Sequence, residues 1–130
     1  MSSTLCLFSE VRGVVLNQEK PVSGVVVERA FDWTWNGESG VDEAITDDKG
    51  EFRFPAIFRK SFWGAIIPHQ PFIEQTLHVK YQEETYPTWI LDKTDYRENS
   101  EIKGKPISLI CRLENVPDQP NELFSSCEIR

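Results

Sequence analysis

The sequence predicts an all-β domain, a single antiparallel sandwich of about seven strands. Three observations carry that expectation. Short β-branched and aromatic runs are separated by turn chemistry along most of the chain. Apolar and polar residues alternate with period two in several of those runs, which is the mark of strands with one buried face. The length, 130 residues, suits one core and is short for two, so residues 1–130 are read as one domain.

The first run, Glu10-Val11-Arg12-Gly13-Val14-Val15-Leu16, reads as a strand, and Asn17 to Pro21 behind it as a hairpin turn. After Gly24, Val25 and Val27 share one face while Val26 and Glu28 take the other, and the inner parity continues through Phe31, Trp33 and Trp35. A strand of that length predicts a bulge or bend near Arg29 to Asp32, then a loop from Asn36 to Asp42 built around Gly37 and Gly40. Ala44-Ile45-Thr46 and Glu51-Phe52-Arg53-Phe54 flank Asp47-Asp48-Lys49-Gly50, where Gly50 supplies the positive φ that closes a tight hairpin.

Ile57 to Ile67 is compatible with a strand or a short helical turn, ended by Pro68. In Phe72 to Glu83, Leu77, Val79 and Tyr81 alternate with His78, Lys80 and Gln82, so this is a strand. Thr85 to Leu91 is another, and Pro87 puts it at a sheet edge or falls at the strand's start. The polar stretch Asp92 to Lys105 reads as a loop with room for one short helix. Pro106 to Leu113 closes the fold, with Ile107, Leu109, Cys111 and Leu113 inward, and the tail from Asn115 either packs back or frays.

A formal charge of −7 repels phosphates and anionic membranes and argues against nucleic acid as a partner. Eight of the acids fall between Glu28 and Glu51, opposed there only by Arg29 and Lys49, and that excess would steer a basic partner. No run has the apolar length of a transmembrane helix, and Met1 to Phe8 lacks the pattern of a secretory leader, so a cytoplasmic domain without membrane insertion is expected. Cys6, Cys111 and Cys127 lie far apart without CxxC spacing, which predicts free buried thiols rather than a disulfide or zinc site.

The chemistry-bearing residues do not assemble into a recognisable catalytic pattern. His69 and His78 share no element, no serine sits in a Gly-x-Ser-x-Gly elbow, and there is no phosphate loop. The 47–51 turn lacks the alternating oxygen ligands of a calcium loop. No cofactor or metal is expected. Tryptophan beside an acidic loop instead suits a binding surface, because a rigid ring gains much contact for little entropy. Trp33, Trp35, Asp42, Glu43, Asp47 and Asp48 are therefore the candidate partner-binding residues.

From Gly13 to Phe54 the chain resembles the transthyretin-like, or carboxypeptidase regulatory-like, β-sandwich. The resemblance rests on Pro21-Val22-Ser23-Gly24-Val25-Val26-Val27 followed by Thr46-Asp47-Asp48-Lys49-Gly50-Glu51-Phe52-Arg53-Phe54. It implies a scaffold rather than an activity. The hydroxyisourate hydrolases of that fold carry a C-terminal Tyr-Arg-Gly-Ser signature, where this chain has Ser126-Cys127-Glu128-Ile129-Arg130. The intradiol dioxygenases need a His-x-His pair that is missing here. In setting, an acidic small domain of this kind is similar to bacterial immunity proteins, including those paired with type VI secretion effectors. That similarity implies a cognate toxin with a basic surface, blocked by occlusion. A structural or carbohydrate-binding sandwich is the second expectation, and an enzyme with an unread site the third.

Overall fold

The computed structural model describes residues 4–60, 68–113 and 127–129. Every regular element named there is a strand: β1 (Thr4–Phe8), β2 (Val11–Asn17), β3 (Lys20–Pro21), β4 (Val26–Trp33), β5 (Glu38–Ile45), β6 (Glu51–Phe54), β7 (Ile57–Lys60), β8 (Ile73–Tyr81), β9 (Glu84–Lys93), β10 (Ile107–Arg112) and β11 (Cys127–Ile129). The all-β class is as the alternation predicts. The helical alternative for 61–67, Trp63 and most of the tail from Asn115 lie outside the described residues.

Two larger sheets and the β1–β7 pair make up the fold. One sheet runs β11-β10-β2-β3 with β6 also on β2, and the other runs β5-β4-β8-β9. β10 lies parallel to β2, with Ile107 opposite Val11 and Arg112 opposite Leu16, the one parallel pairing among the described strands. Alternate residues of each strand point inward: Val11 and Val15 on β2, Phe52 and Phe54 on β6, Ile107 and Leu109 on β10, Val27, Phe31 and Trp33 on β4, Ile73, Leu77 and Val79 on β8. Each such side chain withdrawn from water contributes roughly 1.5–3 kcal/mol, which makes this shared core the main source of stability.

β4 runs unbroken where a bend near Arg29 was expected, pairing residue for residue with β5 from Val26↔Ile45 to Trp33↔Glu38. Arg29 keeps its place on the inner parity of this strand because its charge is met there. Its guanidinium donates to Asp42 Oδ1 and Oδ2 at 2.9 and 2.7 Å and to the Pro55 carbonyl at 2.6 Å, and it lies over the Phe8 and Phe54 rings. The expected 36–42 loop shrinks accordingly to a turn over 34–37, and residues 38–42 join β5. Gly40 belongs to that strand: a Cβ there would come within 2.6 Å of the Phe31 ring, so glycine is what lets the ring pack flat against its neighbour.

The Asp47 to Gly50 turn closes as predicted, with Gly50 at φ 73 and its N–H donating to the Asp47 carbonyl at 2.9 Å, but its flanks do not form a hairpin: β5 pairs with β4 and β6 with β2, so the turn carries the chain from one sheet to the other. β9 is an edge strand among the described residues and Pro87 lies inside it, so of the two placements the proline allows, the edge is the one adopted. In place of a helix, β9 runs on through Lys93 and 94–105 forms turns around the buried Lys93 ammonium. That group donates to the Asp95 and Arg97 carbonyls, Asp95 Oδ1 and Ser100 Oγ at 2.6–3.0 Å. A desolvated cation gathers the loop's oxygens and removes the need for helical hydrogen bonds.

The cysteines depart from expectation. Cys111 on β10 stands directly opposite Cys127 on β11, both on the inner parity, and they form a disulfide. The sequence hides this because cross-strand register, not spacing, brings the thiols together. Cys6 is free and buried, and burial raises its thiol pKa.

Candidate functional site

The residues of the β5-β4-β8-β9 sheet that point away from the core form four rows across its outer face. Along β4 the outward positions are Val26, Glu28, Ala30 and Asp32, and register places the neighbours of each. Ser39, Asp32, Glu74 and Asp92 make the first row; Val41, Ala30, Thr76 and Ile90 the second; Glu43, Glu28 and His78 the third; Ile45, Val26, Lys80 and Thr85 the fourth.

The first row is electrostatically unfavourable for the isolated domain. Directly opposed positions hold their Cβ atoms roughly 4.5–5.5 Å apart, and like charges so placed are destabilising. Asp32, Glu74 and Asp92 occupy adjacent strands, are exposed, and have no ion-pair partner among the described residues. In the third row, Glu28 meets Lys80 Nζ at 2.8 Å and Glu43 lies 3.8 Å from the same nitrogen. The hydrogen bond and charge of Glu28 raise the lysine's pKa. Lys80 thus offsets part of one acidic row and none of the other. The three carboxylates of the first row lie along a line, and among the described residues no group of three His, Cys, Asp or Glu side chains could hold a metal ion.

Between the two acidic rows lies the apolar one. Val41 is 65% exposed and Ile90 42%, and Ile45 in the fourth row is 67% exposed. Exposed large aliphatic side chains bounded by acids describe a surface that gains from covering by apolar groups with cations around them.

The six predicted residues do not converge. Trp33 is 1% exposed, with its indole N–H donating to the Tyr96 hydroxyl at 3.0 Å, so it is core. Trp35 is half-buried and stacks on the His69 ring, centroids 4.3 Å apart. Neither indole stands out as an open platform for a sugar ring. Asp42 faces inward to Arg29. Asp47 shapes its own turn, Oδ1 accepting from the Lys49 and Glu51 N–H groups, each at 2.9 Å. Asp48 is exposed in the turn between β5 and β6, away from the rows. Glu43 alone of the six lies on the outer face. The residues that sequence reasoning missed are Asp32, Glu74, Asp92, Val41 and Ile90. Their outward parity is readable along each strand, but only pairing shows that they share rows.

The fold and this face define a small all-β domain with an acidic, apolar-striped sheet surface. A family model described as a domain of unknown function (DUF6795) matches residues 11–116, and the chain belongs to that family. No curated protein and no solved structure matches it.

Proposed function

We propose that this domain is a non-catalytic protein-binding module whose outer sheet face takes a cationic protein partner. The observation that carries the proposal is the row Asp32, Glu74, Asp92, unpaired among the described residues, beside the exposed Val41 and Ile90. Such a row costs the free domain stability, and a partner's lysines and arginines relieve that repulsion on binding. The partner class we favour is a toxin with a basic surface, neutralised by occlusion, so that the domain acts as an immunity protein. The support is charge complementarity together with the acidic character of the chain. We also place the scaffold with transthyretin-like sandwiches, because the Thr46 to Phe54 motif makes the tight turn into β6 and the Pro21 to Val27 motif leads from β3 into β4. The Cys111–Cys127 bond favours an oxidising compartment over the cytoplasm, since cytosolic thiols are kept reduced.

The test is affinity capture from native cells with the wild-type domain and with Glu74→Lys/Asp92→Lys, both exposed sites whose substitution leaves the core intact. A protein retained by the wild type, released by rising salt and lost by the variant is expected. Its expression should be toxic and relieved by co-expression of the domain. Equal capture by both forms would refute the face, and a captured partner without toxicity would refute the immunity role.

A further inference from the structure

An edge strand exposes a row of unpaired backbone groups, and folded proteins blunt such edges with prolines, lysines, bulges or short strands. The two edges of the β5-β4-β8-β9 sheet are treated differently. β9 carries Pro87 and a register irregularity between Leu77 and His78 of its partner strand. β5 has none of these. It is 8 residues long, holds continuous register with β4, contains neither proline nor lysine, and has no second strand partner among the described residues.

The inward charges of β5, which in other edges repel an incoming strand, are already compensated. Asp42 is held by Arg29, and Glu38 by Arg59 at 2.7 Å. Beside the edge, a groove of about 560 Å³ is lined by Phe31, Gly40, Val41 and Phe58 together with Arg29 and Arg59, whose charges are those already paired with Asp42 and Glu38. A second, of about 630 Å³, is lined by Ala44, Ile45, Asp47, Glu51 and Phe52 with Arg12 and Arg53, both paired with Glu10. The outward side chains along β5 read Val41, Glu43, Ile45, with both aliphatics about two-thirds exposed.

We propose that β5 receives an extended segment of the cationic partner as a fifth strand of this sheet. The added strand presents apolar, basic and apolar residues opposite Val41, Glu43 and Ile45. This rests on the cationic-partner reading above and deepens it. The pattern is the same read in either direction, so parallel and antiparallel addition both satisfy it. Main-chain hydrogen bonds to β5 supply affinity, while Glu43 supplies selectivity, because a basic residue across from it completes a cross-strand ion pair and an acidic one is repelled. The same charge, with −7 on each chain, disfavours a second copy of this domain as the added strand.

The experiment is hydrogen exchange on the full chain at saturating concentrations of three capped peptides. They are Thr-Val-Thr-Lys-Thr-Ile-Thr, the same sequence with glutamate for lysine, and the lysine peptide with alternate backbone nitrogens methylated. The lysine peptide is expected to slow exchange in residues 38–45 about tenfold, and the other two to leave it unchanged. The exposed substitution Glu43→Lys should reverse the preference, so that the glutamate peptide protects β5. Protection in β8 and β9 without protection of β5 would overturn strand addition and leave the binding face standing. Protection of β5 that grows with protein concentration alone would assign the edge to a second copy and overturn the proposal. No protection of β5 by the lysine peptide would overturn it too. Failure of the binding face itself is read separately, in capture that is insensitive to Glu74→Lys/Asp92→Lys.

Discussion

Replacing Asp42 by alanine isolates the ion pair that lets β4 carry an arginine into the core. Arg29 has a side chain 1% exposed, and Asp42 supplies two of its hydrogen bonds, at 2.9 and 2.7 Å. After Asp42→Ala the guanidinium keeps only the Pro55 carbonyl and the faces of Phe8 and Phe54. Stranding one member of a buried pair costs about 3–5 kcal/mol. Because the Asp42 side chain is 43% exposed, water reaches the vacated position, and the lower end, about 3 kcal/mol, is expected. For a domain of this size that corresponds to a fall in Tm of about 10 °C. Urea and thermal unfolding of the wild type, Asp42→Ala, Arg29→Met and the double variant form the assay. Methionine keeps the apolar contacts and removes the charge, so Arg29→Met/Asp42→Ala should be more stable than Asp42→Ala by about 1–2 kcal/mol. A loss below about 1 kcal/mol for Asp42→Ala, or a double variant no better than it, would refute the account of Arg29 as a buried charge dependent on one carboxylate.

Three further outcomes follow from the packing and the charges. Reduction, or Cys111→Ala/Cys127→Ala, should lower unfolding free energy by about 3 kcal/mol, as opening a loop of 16 residues implies, measured by urea unfolding with and without reductant. Gly40→Ala should destabilise by about 1–3 kcal/mol because its Cβ meets the Phe31 ring, and Phe31→Leu in the same chain should recover part of that loss in thermal unfolding. Burial opposes ionisation of Asp95, but hydrogen bonds from Ser100, Lys93 and the Arg97 N–H outweigh it and hold the carboxyl well below the usual carboxylate range. Its contribution is therefore present above the unfolded value near pH 4 and disappears as pH falls through the lower folded value. Asp95→Asn should flatten the stability profile in that acidic window and leave its slope at neutral pH unchanged.

Much of the fold is legible in the chain because period-two burial is a local property. The parity of Leu77 against His78, the Asp47 to Gly50 turn and Pro87 at an edge all depend on a few adjacent residues, and the structure keeps them as read. Lys93 shows where local reasoning stops: a polar stretch with a helix-compatible composition folds instead around a cation supplied by the preceding strand. Similarly, Trp33 and Asp42 have the composition of a binding surface, yet one is core and the other is tied to Arg29. Whether a large or charged side chain faces solvent or the core depends on what lies across from it.

By itself, the sequence determined that this is an all-β domain with a cluster of eight acids between Glu28 and Glu51, and which residues of each strand share a face. The tertiary structure decided which strands are neighbours. Register turned Cys111 and Cys127 into a disulfide, Asp32, Glu74 and Asp92 into one carboxylate row, and β5 into a sheet edge among the described residues. Alternation is written within a strand every two residues, whereas pairing joins residues tens of positions apart through the summed packing of the core, which no short stretch of sequence contains.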